Sequence, residues 1–132
     1  MESEFSIDRR IGLMKVAVRG PVDGMGLVKL GTLTAAMNAT AHPKSVVYDF
    51  TGVTSVQLPT TDVDTLAHLK PVLSPEMPQV ILATQDLIFG LARMFQAMAA
   101  DSRPSVSVVR SWPEALQVLG LSEPPQFEPI ES

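Results

Sequence analysis

The chain has 132 residues, 45% of them hydrophobic, which is enough for one packed core without disulfides or metal. It contains no cysteine, which excludes disulfide scaffolds, thiol nucleophiles and cysteine-type zinc sites and fits a reducing compartment. The net charge of −4 repels phosphate backbones, and apart from Arg9 and Arg10 the lysines and arginines are scattered, so nucleic acid is not an expected partner. The opening residues MESEF carry no basic region before an apolar run, and no stretch of about 18 apolar residues is present, so neither a signal peptide nor a membrane span is expected, and the cytoplasm is the expected address.

Phe5 and Ile7 alternate with polar residues, and Met14, Val16 and Val18 do so again after Gly12, a pattern that predicts an antiparallel pair. Gly20-Pro21 should end the second strand, Asp23 should cap a helix, and Leu30, Leu33 and Met37 share one face of that helix up to His42-Pro43. Val46, Val47, Tyr48 and Phe50 are strand formers in a run too short for a helix, closed by Thr51-Gly52, and read as a central strand buried on both faces. Val63, Leu66 and Leu69 mark a short second helix that Pro71 stops. Residues 80–83 form the next strand, residues 86–99 a third helix and residues 105–109 the last strand. Ser111-Trp112-Pro113-Glu114 is a capping box with proline in the first turn, and Gly120 is placed to end that fourth helix. The proline-rich, acidic tail, residues 122–132, has no periodicity and is expected to be disordered. The order β-β-α-β-α-β-α-β-α predicts a single α/β domain over residues 1–121, with a mixed, mostly parallel five-stranded sheet and four helices.

Three stretches in this order, VRGPVD, VVYDFTGVTSV and DLIFGLARMFQAMA followed by VSVVRSWPEALQVLG, together resemble the SpoIIAA-like family. These are bacterial single-domain proteins of STAS-type fold related to anti-sigma-factor antagonists, and the resemblance spans about residues 4–121. It implies a non-catalytic interaction or regulatory module that signals through protein contacts, with a protein partner and a homodimer as expectations and no cofactor. In phosphorylated antagonists a serine at a helix start follows the strand that VVYDF resembles. Here Gln57-Leu58-Pro59-Thr60-Thr61 lacks that motif, so Thr60 and Thr61 are candidates both for phosphorylation with partner contact and for plain helix capping, Thr61 with Asp64 making an imperfect box.

The other candidates are weaker. Gly20, Gly24 and Gly26 lie where a phosphate loop would, but the spacing of a dinucleotide loop and the lysine of a P-loop are missing. His42 and His68 have no second ligand at metal spacing, and no serine sits in a nucleophile elbow, so neither a metal site nor an enzyme is expected. In the third helix Leu87, Leu91, Met94, Phe95 and Met98 form a stripe expected to face the sheet. Phe89, with Arg93 and Gln96, falls on the opposite side, a composition suited to partner binding. The alternative function is a small lipid- or nucleotide-binding carrier, since the CRAL-TRIO fold shares the final strand–helix pattern, although one sheet and four helices suggest little room for a ligand cavity.

Overall fold

The computed structural model describes residues 1–130. In chain order it contains β1 Glu2–Asp8, β2 Leu13–Asp23, α1 Gly24–Ala41, β3 Ser45–Gln57, α2 Thr60–His68, β4 Gln79–Leu82, α3 Asp86–Met98, β5 Val106–Val109, α4 Trp112–Val118 and β6 Glu128–Pro129. The domain is α/β with one mixed sheet in the order β5-β4-β3-β2-β1-β6; β2 to β5 are parallel neighbours, and β1 is antiparallel to both β2 and β6. Six strands form the sheet, not five. The sixth comes from the tail expected to be disordered, of which only residues 131 and 132 lie outside the described residues.

The topology decides where the helices go. From β2 to β5 each strand is added on the same side of the last, so right-handed crossovers put α1, α2 and α3 on one face. On that face Met14, Val16, Val18 and Val46 pack with Leu30 of α1 and Ile88 of α3. The opposite face, carrying Leu13, Val47, Val80, Leu82 and Val109, would be largely bare. It is covered by Ala115 and Trp112 of α4 and by Phe127 of the tail. Phe127 sits 5.9 Å from Trp112, ring centre to ring centre, with the Lys15 ammonium 4.7 Å from its own ring centre. Asp8, 1% exposed, holds the tail by accepting the Gln126 N–H at 2.8 Å, and Ile130 N–H donates to Phe5 O at 3.0 Å. Arg10 binds the same Asp8 carboxylate, at 3.0 Å through Nη2. The bonds from Gln126 to Asp8 and from Ile130 to Phe5 join residues more than a hundred positions apart, which no local pattern announces.

Two strands run further than their breakers suggest. β2 passes through Gly20-Pro21 and β3 through Thr51-Gly52, because register shifts at Ala17/Arg19 and Gly20/Pro21 absorb the irregular residues as bulges. Gly20 takes the left-handed φ of 83° that its bulge requires. β4 pairs only with Val46 to Asp49, so the rest of β3 projects past it alongside β2.

The helix starts follow side-chain capping chemistry with two exceptions. Asp23 Oδ1 accepts the Gly26 N–H at 2.8 Å and starts α1, while Ser111 Oγ accepts the Glu114 N–H at 3.3 Å and starts α4. Gly120, at φ 69°, follows α4. The exceptions are α3, whose N-cap Gln85 makes no side-chain bond, and α2. Its N-cap is Pro59 with no side-chain bond, and Thr60 and Thr61 are already its first two helical residues, so neither threonine caps the helix.

Candidate functional site

The face of the sheet under α1, α2 and α3 is not filled. Between them lies a cavity of about 470 Å³, walled by Val22 of β2, Leu27 and Leu30 of α1, Tyr48, Phe50 and Val53 of β3, Val63 and Leu66 of α2, and Ile88, Leu91 and Phe95 of α3. The small chain that was expected to leave little room for a ligand leaves this much because of where its small side chains fall. Gly31 and Ala92 stand on the wall where larger residues would close the gap, and a Cβ placed on Gly31 meets no atom within 4 Å. The projecting half of β3 lengthens the floor, and the short α2 with the following loop spans the roof. Val28, Leu69 and Val72 line the space yet are 47%, 41% and 44% exposed, which makes them the apolar rim of a mouth open to solvent.

Polar groups in the wall are few: Thr32, Tyr48, Lys70, Gln79 and Arg103. Burial pushes the Tyr48 phenol up to about 12, so at neutral pH it remains a hydrogen-bond donor. Arg103, just beyond α3, donates from Nη1 to Ala67 O at 3.0 Å and from Nη2 to Leu69 O at 2.9 Å, tying down the carbonyls at the end of α2. Its guanidinium carbon lies 5.5 Å from the centre of the Phe95 ring. Among the described residues the lining contains no carboxylate, histidine or serine, so apolar side chains dominate the wall and its polar groups are two hydroxyls, an amide and two cations.

The residues singled out from the sequence are dispersed around this cavity. α3 is rotated by about 90° from the expected stripe: Ile88, Ala92 and Ala99 are buried and Phe95 packs beside them, whereas Leu87 is 62% and Met98 40% exposed. The buried set repeats at four, three and four residues with two alanines that let the helix approach the sheet, a signal that counting only large side chains misses. Phe89 is consequently half-buried against the core and not on a wet face. The cation over its ring is Arg110, at 4.7 Å, and not Arg93. Arg93 is exposed, and Gln96 is half-buried with Nε2 donating to Val106 O at 2.9 Å. Thr60 and Thr61 are both exposed on the first turn of α2. In α1 Leu33 is 43% exposed, and the buried positions are Leu30 and Thr34, whose Oγ1 donates back to Leu30 O at 2.7 Å.

Gly24 and Gly26 form the first turn of α1, where the Asp23 carboxylate already occupies the place an anion would take. His42 holds the left-handed position that closes α1, and His68 Nδ1 lies 2.8 Å from the Asp64 carbonyl one turn back. No helix among the described residues is long and apolar enough to cross a membrane. Compared with family models and with curated proteins, the chain matches none.

Proposed function

We propose that this protein is a non-catalytic binding module of STAS-like type that holds a small, largely apolar molecule in the cavity beneath α1, α2 and α3. The observation that carries the reading is the cavity itself. At ~24 cal/mol per Å³ a dry void of about 470 Å³ would cost ~11 kcal/mol, as much as the whole stability of a typical domain. Water in it would leave an apolar wall wet. A volume in the 300–1,000 Å³ range of ligand pockets, with apolar walls and a handful of polar groups, suits a ligand better than either state. The SpoIIAA-like resemblance supports the regulatory half of the proposal. Thr60 and Thr61 stand exposed on the same short helix whose Val63 and Leu66 touch the cavity, so an occupant and a protein partner would share α2.

The test is calorimetric titration and thermal unfolding with 1-decanol and with decanoate. Saturable one-to-one binding is expected for at least one of them, with a stabilisation of ~2.7 kcal/mol when free ligand reaches a hundred times its Kd. Absence of both binding and thermal shift for both compounds up to their solubility limits overturns the reading.

A further inference from the structure

The chain carries 14 acidic and 10 basic residues, yet the charges in the cavity wall are Lys70 and Arg103 alone, both positive. In a net negative protein the wall of one space is thus selectively basic. The arginines elsewhere are mostly neutralised: Arg9, Arg10, Arg19 and Arg110 each sit within 4.0 Å of a carboxylate. Among the described residues Arg103 and Lys70 have no such partner.

The hydrogen-bond inventory of Arg103 sharpens the point. A guanidinium has five N–H groups and no acceptor. The two on Nη1 go to Ala67 O at 3.0 Å and Ser102 Oγ at 3.3 Å, and one on Nη2 goes to Leu69 O at 2.9 Å. Left over are Nε–H and one Nη2–H, on the two nitrogens that bound one edge of the plane. That edge is the fork that meets a carboxylate with two parallel bonds. The other edge is anchored on backbone, and Phe95 lies against the guanidinium, so its orientation is fixed before any ligand arrives. Tyr48, also in the wall, adds a hydroxyl that burial keeps protonated.

We propose, building on the binding role above, that the cavity takes a single-chain carboxylic acid, with its carboxylate on the free edge of Arg103, Lys70 adding charge at the mouth, and its hydrocarbon tail among the apolar walls. Size selects one chain. At ~30 Å³ per water-sized group, about 470 Å³ accepts about 15 heavy atoms, which suits a medium-length acid and is too small for the two tails of a diacyl lipid.

The experiment compares decanoate, methyl decanoate and 1-decanol on the full chain, and repeats the series on Arg103→Gln, Arg103→Lys and Lys70→Gln. Native protein should bind decanoate at least ~10-fold more tightly than the two neutral compounds, the scale expected of hydrogen bonds to a charged group. Arg103→Gln should bring the ratio of decanoate to decanol affinity to about one, and Arg103→Lys, which keeps the charge without the fork, should fall between. Equal affinities in native protein, or a preference that survives both Arg103→Gln and Lys70→Gln, overturn the carboxylate assignment and leave the apolar binding role standing. Failure of all three compounds removes both. If Arg103 serves only to hold α2, Arg103→Gln will lower the melting temperature and weaken acid and alcohol alike, which also refutes the proposal. Vesicles of anionic diacyl phospholipid provide the remaining arm, and binding to them without binding to decanoate refutes the single-chain assignment.

Discussion

A matched pair of glycine substitutions separates the cavity from its surroundings. Gly31 in α1 and Gly90 in α3 are both helical, both lack a left-handed φ, and a Cβ on either meets no atom within 4 Å, but only Gly31 lines the cavity. Leucine is a far better helix former than glycine, so Gly31→Leu and Gly90→Leu should each stabilise the ligand-free protein by ~0.8 kcal/mol. For a domain of this length that is a rise of roughly 3 °C in Tm. Their effects on binding should differ. The leucine side chain brings four carbons, ~120 Å³ at ~30 Å³ each, about a quarter of the cavity. A ligand that fills the space, such as the fourteen-carbon alcohol 1-tetradecanol, then loses room for about four methylenes at ~0.8 kcal/mol apiece and should bind Gly31→Leu up to ~200-fold more weakly, whereas decanol still fits and Gly90→Leu stays as native. A six-carbon analogue should barely distinguish the two variants. Calorimetry across chain lengths, with circular dichroism for stability, gives both readings. The reasoning is refuted if Gly31→Leu binds the fourteen-carbon alcohol as tightly as native protein, or if it is destabilised, because then the position does not open into free space.

Two further expectations concern the rest of the molecule. The Arg10 side chain first and the Gln126 N–H second hold the Asp8 carboxyl down at about 2, from an ordinary 3.8. A depressed carboxylate contributes its full stability above the ordinary value and loses it as pH falls through the folded one, so tail docking should weaken between about pH 4 and pH 2. Trp112 emission, sensitive to Phe127 at 5.9 Å, should follow that loss, and Asp8→Asn should abolish the pH step; an unchanged step in Asp8→Asn assigns it elsewhere. Phe89→Ala should cost ~2 kcal/mol, about half of what a fully buried phenylalanine loses, because Phe89 is half-buried beneath Arg110. A cost below ~0.5 kcal/mol in thermal unfolding, together with weaker self-association in sedimentation, would return Phe89 to the role of a partner contact.

What could be read from the sequence was whatever rests on neighbours in the chain. Asp23 and Ser111 at helix starts, Gly120 at a helix end, and the alternation of Met14, Val16 and Val18 are local signals, and each appears where it points. Strand termini failed where pairing overrode composition: Gly20-Pro21 and Thr51-Gly52 are breakers in isolation, but ten paired positions between β2 and β3 carry the ladder across them. The phase of α3 failed because a stripe of large side chains outvoted the alanines that contact the sheet. The tail failed because its order comes from single contacts to Asp8, Phe5 and Trp112, with no pattern within the tail itself. The cavity was illegible for a related reason. An empty volume is a property of where side chains from several elements stop short, and Gly31 and Ala92 look like ordinary small helix residues until β3 lies beneath them.

α1 and α2 together account for the location of the opening. α1 is apolar nearly all round. Leu30 reaches the core, Leu27 the cavity wall and Val28 the rim, while Met25 is 75% exposed, so no single face of the helix is committed to the sheet. α2 is nine residues long, starts at a proline without a side-chain cap, and is tied at its far end by Arg103. A helix that short is marginal on its own and depends on what its apolar side meets. Val63 and Leu66 meet the cavity. Under the proposed role, an occupant adds apolar contact to Val63 and Leu66 of α2, and a carboxylate on Arg103 reinforces the residue that ends it. The free energy of binding would therefore be felt first in α2, which also presents Thr60 and Thr61 to solvent. Occupancy of an interior space would in this way become a change in the order of one exposed helix, a signal that a partner protein can read.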